Sequence, residues 1–248
     1  MKTVGVIPAR YGSTRLPGKS LVPLCGKPLV QWVHERARLA RRLDRLVVAT
    51  DDLRIADAVR DFGGVPVMTR VDHPSGTDRI AEAVAQLDAG VVINIQGDEP
   101  LVDPALIDRL AGALIDDPSW DMVTAVCPLR DEADYDNPAV VKAVWAADGR
   151  ALYFSRSLIP FPRDGRRASP GWHPWRHIGI YGYRREFLEK LVRTPPCALE
   201  LTEKLEQLRA LDIGGRLRVV TTDEIGLGVD TPEDVPKAEA ALRAAGLA

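Results

Sequence analysis

The chain has 248 residues, 46% of them hydrophobic and 27% charged, with a formal net charge of -2. That balance excludes a global field able to attract nucleic acid or an anionic membrane surface, so an anionic ligand would need a local cluster of positive charge. Three scattered cysteines, Cys25, Cys127 and Cys197, offer neither a disulfide framework nor metal-ligand spacing, and no run approaches the roughly 20 apolar residues that span a bilayer.

The first half alternates short apolar runs with amphipathic segments. Val4–Ile7 reads as a buried strand, too short for a signal peptide and ended by Pro8. The expectation is therefore a soluble, cytoplasmic protein with reduced thiols. Pro28 to Arg41 reads as a helix with Leu29, Val33, Ala37 and Ala40 on one face. Leu46–Ala49 is a second strand. A helix over Asp52–Phe62 stops at Gly63-Gly64. Val65–Met68 is a strand, Asp78–Leu87 a helix, Val91–Ile95 a strand, Pro104–Ile115 a helix and Met122–Val126 a strand. Such alternation predicts an α/β fold with a mostly parallel central sheet.

The pattern then changes. Val140–Trp145 and Ala151–Phe154 flank a turn containing Asp148-Gly149, which predicts a β-hairpin. A Pro- and Arg-rich loop, mobile or partner-facing, follows from Ile159 to about Arg176, with Arg166-Arg167, Trp172 and Trp175. Ile178–Tyr183 reads as a strand, Leu199–Leu211 as one periodic helix, Leu217–Thr221 as a strand and Pro232–Ala245 as a final helix. No linker divides the chain. The expectation is a single domain over 1–248 with an inserted β-rich lobe over about 130–215.

The loop after the first strand holds the strongest chemical signal: Pro8-Ala9-Arg10-Tyr11-Gly12-Ser13-Thr14-Arg15-Leu16-Pro17-Gly18-Lys19. Open α/β sheets bind ligands beyond the carboxyl ends of their strands, and this loop lies at such an end. Arg10, Arg15 and Lys19 can hold phosphate oxygens, and the small residues let backbone N–H groups approach. The loop matches neither GxGxxG nor GxxxxGK[ST], which disfavours a dinucleotide oxidoreductase or a P-loop ATPase. Asp98 follows the Val91–Ile95 strand, and Asp230 precedes the last helix. Two such carboxylates can meet at one Mg²⁺, which favours one or two carboxylates plus triphosphate oxygens and water. From local sequence, Asp98 could instead be a turn former, and Asp230 an N-cap ahead of Pro232.

These segments resemble the 3-deoxy-manno-octulosonate cytidylyltransferases, also called CMP-Kdo synthetases. The likeness runs in order from the Pro8–Lys19 loop through Val48-Ala49-Thr50-Asp51, Met68-Thr69-Arg70 and His73-Pro74-Ser75-Gly76-Thr77-Asp78-Arg79. It continues through Asn94-Ile95-Gln96-Gly97-Asp98-Glu99-Pro100, Ala151–Arg156 and Arg176–Arg184. It ends with Leu205–Arg209 and Gly228–Asp234. The resemblance implies a Rossmann-like nucleotide-diphosphosugar transferase fold of GT-A type, dependence on Mg²⁺ and a homodimer, and the apolar and aromatic content near Trp172–Tyr183 places the expected dimer contact largely on the inserted lobe.

It also implies roles. Lys19, Arg15, Asp98 and Asp230 would be catalytic, with the metal on Asp98 and Asp230. Pro8, Ala9, Arg10, Ser13, Lys19, Arg70, Ser75, Gly76 and Gln96 would meet CTP, although Ser75 or Thr77 could simply cap a helix. Arg15, Gln96, Arg156, His177, Tyr181, Glu206 and Gln207 would meet the sugar. Positions 177 and 181 share a face if the segment is a strand. The implied reaction joins the anomeric hydroxyl of 3-deoxy-manno-octulosonate (Kdo) to the α-phosphate of CTP for lipopolysaccharide biosynthesis, without a covalent enzyme intermediate and with no nucleic-acid or membrane partner. The alternatives are another acidic sugar, such as 8-amino-Kdo or sialate, or a non-catalytic nucleotide-sensing module on the same fold.

Overall fold

The computed structural model describes residues 1–13, 15–165, 173–223 and 226–248. Trp172, Arg166 and Arg167, singled out in the sequence, fall outside the described residues. The chain packs as two compact units, Met1–Gly112 with Gly226–Ala248, and Ala113–Ile225. The second encloses the stretch expected as a lobe over 130–215.

The first unit is built on β1 (Thr3–Ala9), a small hairpin of β2 (Pro23–Leu24) and β3 (Lys27–Pro28), then α1 (Leu29–Ala37) and β4 (Arg45–Thr50). It continues with α2 (Leu53–Asp61), β5 (Pro66–Met68), α3 (Gly76–Ala85), β6 (Val91–Asn94) and the start of α4 (Pro104–Asp116). β1 pairs in parallel with both β6 and β4, and β4 pairs in parallel with β5. Buried on both faces, these strands are near-continuous apolar runs, as a parallel sheet between helix layers requires. Val6, Ile7, Val47, Val48, Val92 and Ile93 are fully buried. The predicted face of α1, Leu29, Val33, Ala37 and the adjoining Ala40, is buried as well. Asp52 caps α2 by accepting the Arg54 N–H at 2.9 Å. The parallel order carries the ends of β1, β4, β5 and β6 to one edge of the sheet.

The second unit holds β7 (Met122–Pro128), β8 (Lys142–Trp145), β9 (Ala151–Ser155) and β10 (Trp175–Arg184). It adds α5 (Arg185–Arg193), α6 (Ala198–Glu203), α7 (Gln207–Asp212) and β11 (Leu217–Thr221). β8 and β9 form the expected antiparallel hairpin. β10 runs antiparallel to β7, and β11 runs parallel to it. The loop expected to reach Arg176 is shorter at its far end, because β10 begins at Trp175 and pairs with Pro128.

The single helix expected over Leu199–Leu211 is two helices. Lys204 stands between them in the left-handed region at φ 54°. The reason is tertiary. Arg156 Nε donates to the Glu203 carbonyl at 2.7 Å, and its Nη2 to the Lys204 carbonyl at 3.4 Å. These carbonyls lie at the helix end, where intrahelical partners run out. A guanidinium satisfying them outweighs the intrinsic preference to continue the helix.

The final helix, α8 (Asp234–Ala244), begins later than expected and returns to the first unit. Among the described residues no helix is long and apolar enough to cross a membrane.

Candidate active site

A cavity of about 350 Å³ opens at the carboxyl edge of the first unit's sheet, where the ends of β1 and β6 meet the loops that follow them. The predicted Pro8, Ala9, Arg10, Ser13, Arg15, Lys19, Ser75, Gly76, Gln96, Asp98 and Asp230 all line it. Arg70 does not line it. Its backbone N–H meets the Glu82 carboxylate at 3.1 Å, and its exposed guanidinium lies 3.4 Å from Asp72. The expected contact of Arg70 with the nucleotide therefore has no support in this cavity.

The loop after β1 folds back on itself. The N–H groups of Ser13 and Gly18 both donate to the Tyr11 carbonyl, at 2.8 and 3.1 Å. Gly18 has φ 67°, and a Cβ there would lie 3.2 Å from the Tyr11 ring, so glycine meets both demands. The turn delivers Lys19 to the centre of the cavity. Gly97 serves the other wall: a Cβ there would stand 2.7 Å from the Pro8 carbonyl oxygen. Only glycine lets the segment after β6 lie this close to the end of β1.

Lys19 Nζ donates to Asp98 Oδ2 at 2.7 Å and to Asp230 Oδ1 at 3.1 Å. Arg15 Nη2 reaches the same Asp230 oxygen at 3.0 Å. Residues far apart in sequence are thus joined into one cluster of two carboxylates and two cations. The backbone reinforces it, because the Val229 N–H donates to the Asp98 carbonyl at 2.9 Å.

The helix-cap alternative for Asp230 is not what the structure contains. Asp234 Oδ2 accepts the N–H groups of Asp230 and Thr231 at 3.2 and 3.0 Å, and the Thr231 hydroxyl at 3.0 Å. Lys237 and these N–H groups hold the Asp234 pKa down to about 2. Asp234 therefore pins the turn, and the Asp230 carboxylate faces Lys19.

Ser75 both lines the cavity and caps. Its Oγ accepts the Asp78 N–H at 3.2 Å and donates to the Asp78 carboxylate at 2.6 Å. Arg79 beneath it is 3% exposed and ties three segments together, through Asp51 at 2.8 Å, the Thr69 hydroxyl at 2.6 Å and the Arg70 carbonyl at 3.3 Å. It appears in the sequence motif without an assigned role; here it braces the turn carrying Ser75-Gly76.

Among the described residues no group of three or more His, Cys, Asp or Glu side chains gathers to hold a metal ion. The donors at Lys19 are two carboxylates. That set suits Mg²⁺ sharing its coordination with ligand oxygens and water, and does not suit an all-protein cage.

In the second unit, the remaining predicted residues form a polar cluster. The register of β10 against β7 is interrupted between Ile178 and Tyr181. His177 pairs with Val126 and Tyr181 with Thr124, so Gly179 and Ile180 are accommodated as an irregularity. The two rings remain on one face, with centroids 5.5 Å apart. Gln207, at the start of α7, accepts the Tyr181 hydroxyl on Oε1 at 3.2 Å, and its Nε2 lies 3.5 Å from His177 Nδ1. Burial lowers the His177 pKa to about 3, so its imidazole is neutral. Burial, assisted by the charge of Glu206, raises that of Tyr181.

Glu206 precedes α7, with its carboxylate 3.6 Å from Arg209. Arg156 is spent largely on backbone: besides the two carbonyls that end α6, Nη1 donates to the Pro138 carbonyl at 2.7 Å. Lys142 holds the main chain here, donating to the Arg156 carbonyl at 2.9 Å and the Asn137 carbonyl at 2.8 Å. Sequence reasoning missed Thr124, fully buried behind His177. The available signal was a lone hydroxyl in an otherwise apolar strand.

The profile of the Cytidylyltransferase family matches residues 4–219. The chain is 50% identical over 248 residues to the 3-deoxy-manno-octulosonate cytidylyltransferase of Syntrophotalea carbinolica, covering 98% of this chain and 99% of that protein. It is 52% identical over 238 residues to the enzyme of the same name from Syntrophobacter fumaroxidans, covering 95% of this chain and 94% of the other. A solved CMP:2-keto-3-deoxy-manno-octonic acid synthetase in complex with CTP superposes with a TM-score of 0.93 at 41% identity, over 99% of this chain and 100% of that one. With its parallel α/β core and the blocks of its sequence in matching order, the chain belongs to the cytidylyltransferase family, in the 3-deoxy-manno-octulosonate branch.

Proposed function

We propose that the chain joins the cytidylyl group of CTP to the anomeric hydroxyl of Kdo and releases pyrophosphate. The observation that carries this reading is the Lys19 bridge between Asp98 and Asp230 inside a cavity lined by the β1 loop. In the transfer, the sugar oxygen bonds to the α-phosphorus, the bond from that phosphorus to the pyrophosphate oxygen breaks, and the hydroxyl proton is released. Such chemistry needs positioning and charge neutralisation more than a covalent partner. Lys19, Arg15 and Arg10 supply positive charge to the triphosphate. Pro8, Ala9, Ser13, Ser75, Gly76 and Gln96 shape the space for the nucleotide. Arg15, Gln96, Arg156, His177, Tyr181, Glu206 and Gln207 serve the sugar acid.

Asp98 and Asp230 would hold Mg²⁺ together with triphosphate oxygens, and the bound ion would supply electrostatic stabilisation to the phosphates. Lys19 would then turn from the carboxylates toward the nucleotide. The three cysteines, unpaired, support a cytoplasmic setting. A homodimer is part of the same reading, and light scattering at micromolar concentration tests it.

The decisive experiment measures pyrophosphate release with CTP and Mg²⁺ against Kdo, its 8-amino counterpart and sialate. Turnover with Kdo above the other acids is expected. Turnover with sialate alone, or release independent of any sugar, would overturn the substrate assignment.

A further inference from the structure

Thr124 is the third residue of β7, opposite the irregularity in β10, and is fully buried. Its hydroxyl oxygen lies 2.9 Å from the Ile180 carbonyl oxygen, 3.2 Å from the Ile178 carbonyl oxygen and 2.9 Å from His177 Nε2. A hydroxyl has one proton to give, and a carbonyl can only accept. With two carbonyls facing it, the Thr124 proton goes to one of them, the nearer being that of Ile180. Toward His177 the oxygen can then only accept, so Nε2 carries the imidazole proton.

The consequence propagates. A neutral imidazole protonated on Nε2 has a bare, accepting Nδ1. Gln207 must therefore turn its amide nitrogen toward His177, and its Oε1 is left to accept the Tyr181 hydroxyl. The four groups form a chain in which every donor points the same way: Tyr181 to Gln207, Gln207 to His177, His177 to Thr124, and Thr124 to the backbone. Each link is within the observed distances of 3.2, 3.5, 2.9 and 2.9 Å.

We infer that Thr124 is a positioning residue which, by fixing the His177 tautomer, sets Tyr181 to present an accepting oxygen, and Gln207 its second N–H, to a sugar hydroxyl array. The inference deepens the reading of this cluster as the sugar site and rests on it. It also makes the cluster selective for polarity. A ligand group that can donate to Tyr181 Oη satisfies it, whereas an acceptor at the same place meets a lone pair. The low pKa of His177 agrees, since a protonated ring would offer Nδ1–H to Gln207 and reverse the chain.

The test combines a spectrum with kinetics. The ¹⁵N shifts of the His177 imidazole, assigned by comparison with His177→Gln, should show the proton on Nε2 in the wild-type protein at neutral pH. Thr124→Val removes the hydroxyl at nearly constant volume. It should abolish the single-tautomer signature and raise KM for Kdo about tenfold, equivalent to about 1.4 kcal/mol, with kcat and KM for CTP nearly unchanged. Thr124→Ser keeps the hydroxyl and should restore both. A wild-type ring protonated on Nδ1, or a Thr124→Val protein with unchanged KM for Kdo, would overturn the inference. Were Thr124→Val unable to fold, the wild-type spectrum would still decide. Absence of any turnover of Kdo by the wild type would instead remove the function reading, and leave the tautomer to be decided by the spectrum.

Discussion

The cavity at the end of β1 and the cluster on β10 are built from opposite materials. The first brings two carboxylates against two cations, and its charged groups stay partly in water: Asp98 is 26% and Asp230 41% exposed at the side chain. The second is uncharged at its centre, with the His177 pKa lowered and the Tyr181 pKa raised by desolvation. The difference matches the chemistry each is proposed to serve. A triphosphate is recognised chiefly by charge, with charge-assisted hydrogen bonds adding direction. A polyhydroxylated acid is recognised chiefly by the direction of neutral hydrogen bonds. In the first site one lysine is shared between two carboxylates, while in the second neutral side chains orient one another through hydrogen bonds.

Replacing charge without changing shape should break the first site most severely. Asp98→Asn or Asp230→Asn is expected to lose about two to three decades of turnover, roughly 3–4 kcal/mol of electrostatic stabilisation, with little change in melting temperature. Because Asp234 pins the turn, Asp230→Asn should not unfold α8. Retention of near wild-type rates at limiting Mg²⁺ would show that the carboxylate charge is not needed.

Arg156→Ala tests whether the second site depends on a frame. The guanidinium serves carbonyls of Pro138, Glu203 and Lys204, so its loss should cost stability as well as sugar use. The expected penalty is about 1.5–3 kcal/mol in kcat/KM for the sugar, with a smaller effect on CTP affinity and a lowered melting temperature. A loss confined to CTP would contradict the division between the sites.

The pH dependence of stability sharpens the contrast further. His177 has its folded-state pKa lowered to about 3. Between pH 6.5 and about 3 the unfolded chain binds a proton at this ring and the folded chain does not, so this group makes stability fall as pH falls. The slope is at most about 1.4 kcal/mol per pH unit. Denaturant titrations should show His177→Gln with a shallower acid slope than wild type; identical slopes would contradict a ring held neutral in the folded state.

The smallest effect is expected at Asp234. Asp234→Ala removes the acceptor of the Asp230 and Thr231 N–H groups. It should cost about 1 kcal/mol, as for the loss of a cap, or a melting shift of about 2–4 °C. Here the sign is that of a depressed carboxylate. The contribution is present above the ordinary pKa and disappears as pH falls through about 2. A thermal scan of the variant with an unchanged midpoint would show that the turn holds without Asp234.

The parallel core was legible because strands buried on both faces leave unbroken apolar runs, as at Val4–Ile7 and Val91–Ile95. The site at Lys19 was legible because the loops after β1 and β6 and the turn before α8 carry charged residues, Lys19, Asp98 and Asp230, that line one cavity. What stayed hidden was decided by contacts remote in sequence. No local pattern shows that Arg156 will end a helix at Lys204, since the carbonyls concerned are 47 and 48 residues away. The helix α5, with Phe187, Leu188 and Leu191 buried, was passed over because it starts directly on the last residue of β10 with no stop signal between them. The lone hydroxyl of Thr124 stands out in its strand, but its contact with His177, 53 residues away, has no local pattern. The helix-cap alternative stayed open for Asp230 because Asp234, a second short carboxylate near the same helix start, is the one that accepts the turn's N–H groups.

The irregularity in β10 has an arithmetic side. Strand faces alternate with each residue, and His177 and Tyr181 oppose Val126 and Thr124, two positions apart on the partner strand. Gly179 and Ile180 therefore amount to an even insertion, which leaves parity intact. Deleting both would shorten the strand yet keep Tyr181 beside His177. Deleting either one alone would send every later side chain of β10 to the opposite face, and Tyr183, now buried, would exchange surroundings with its neighbours. Length variation at this point of the chain is thus constrained to even steps, whatever residues fill them.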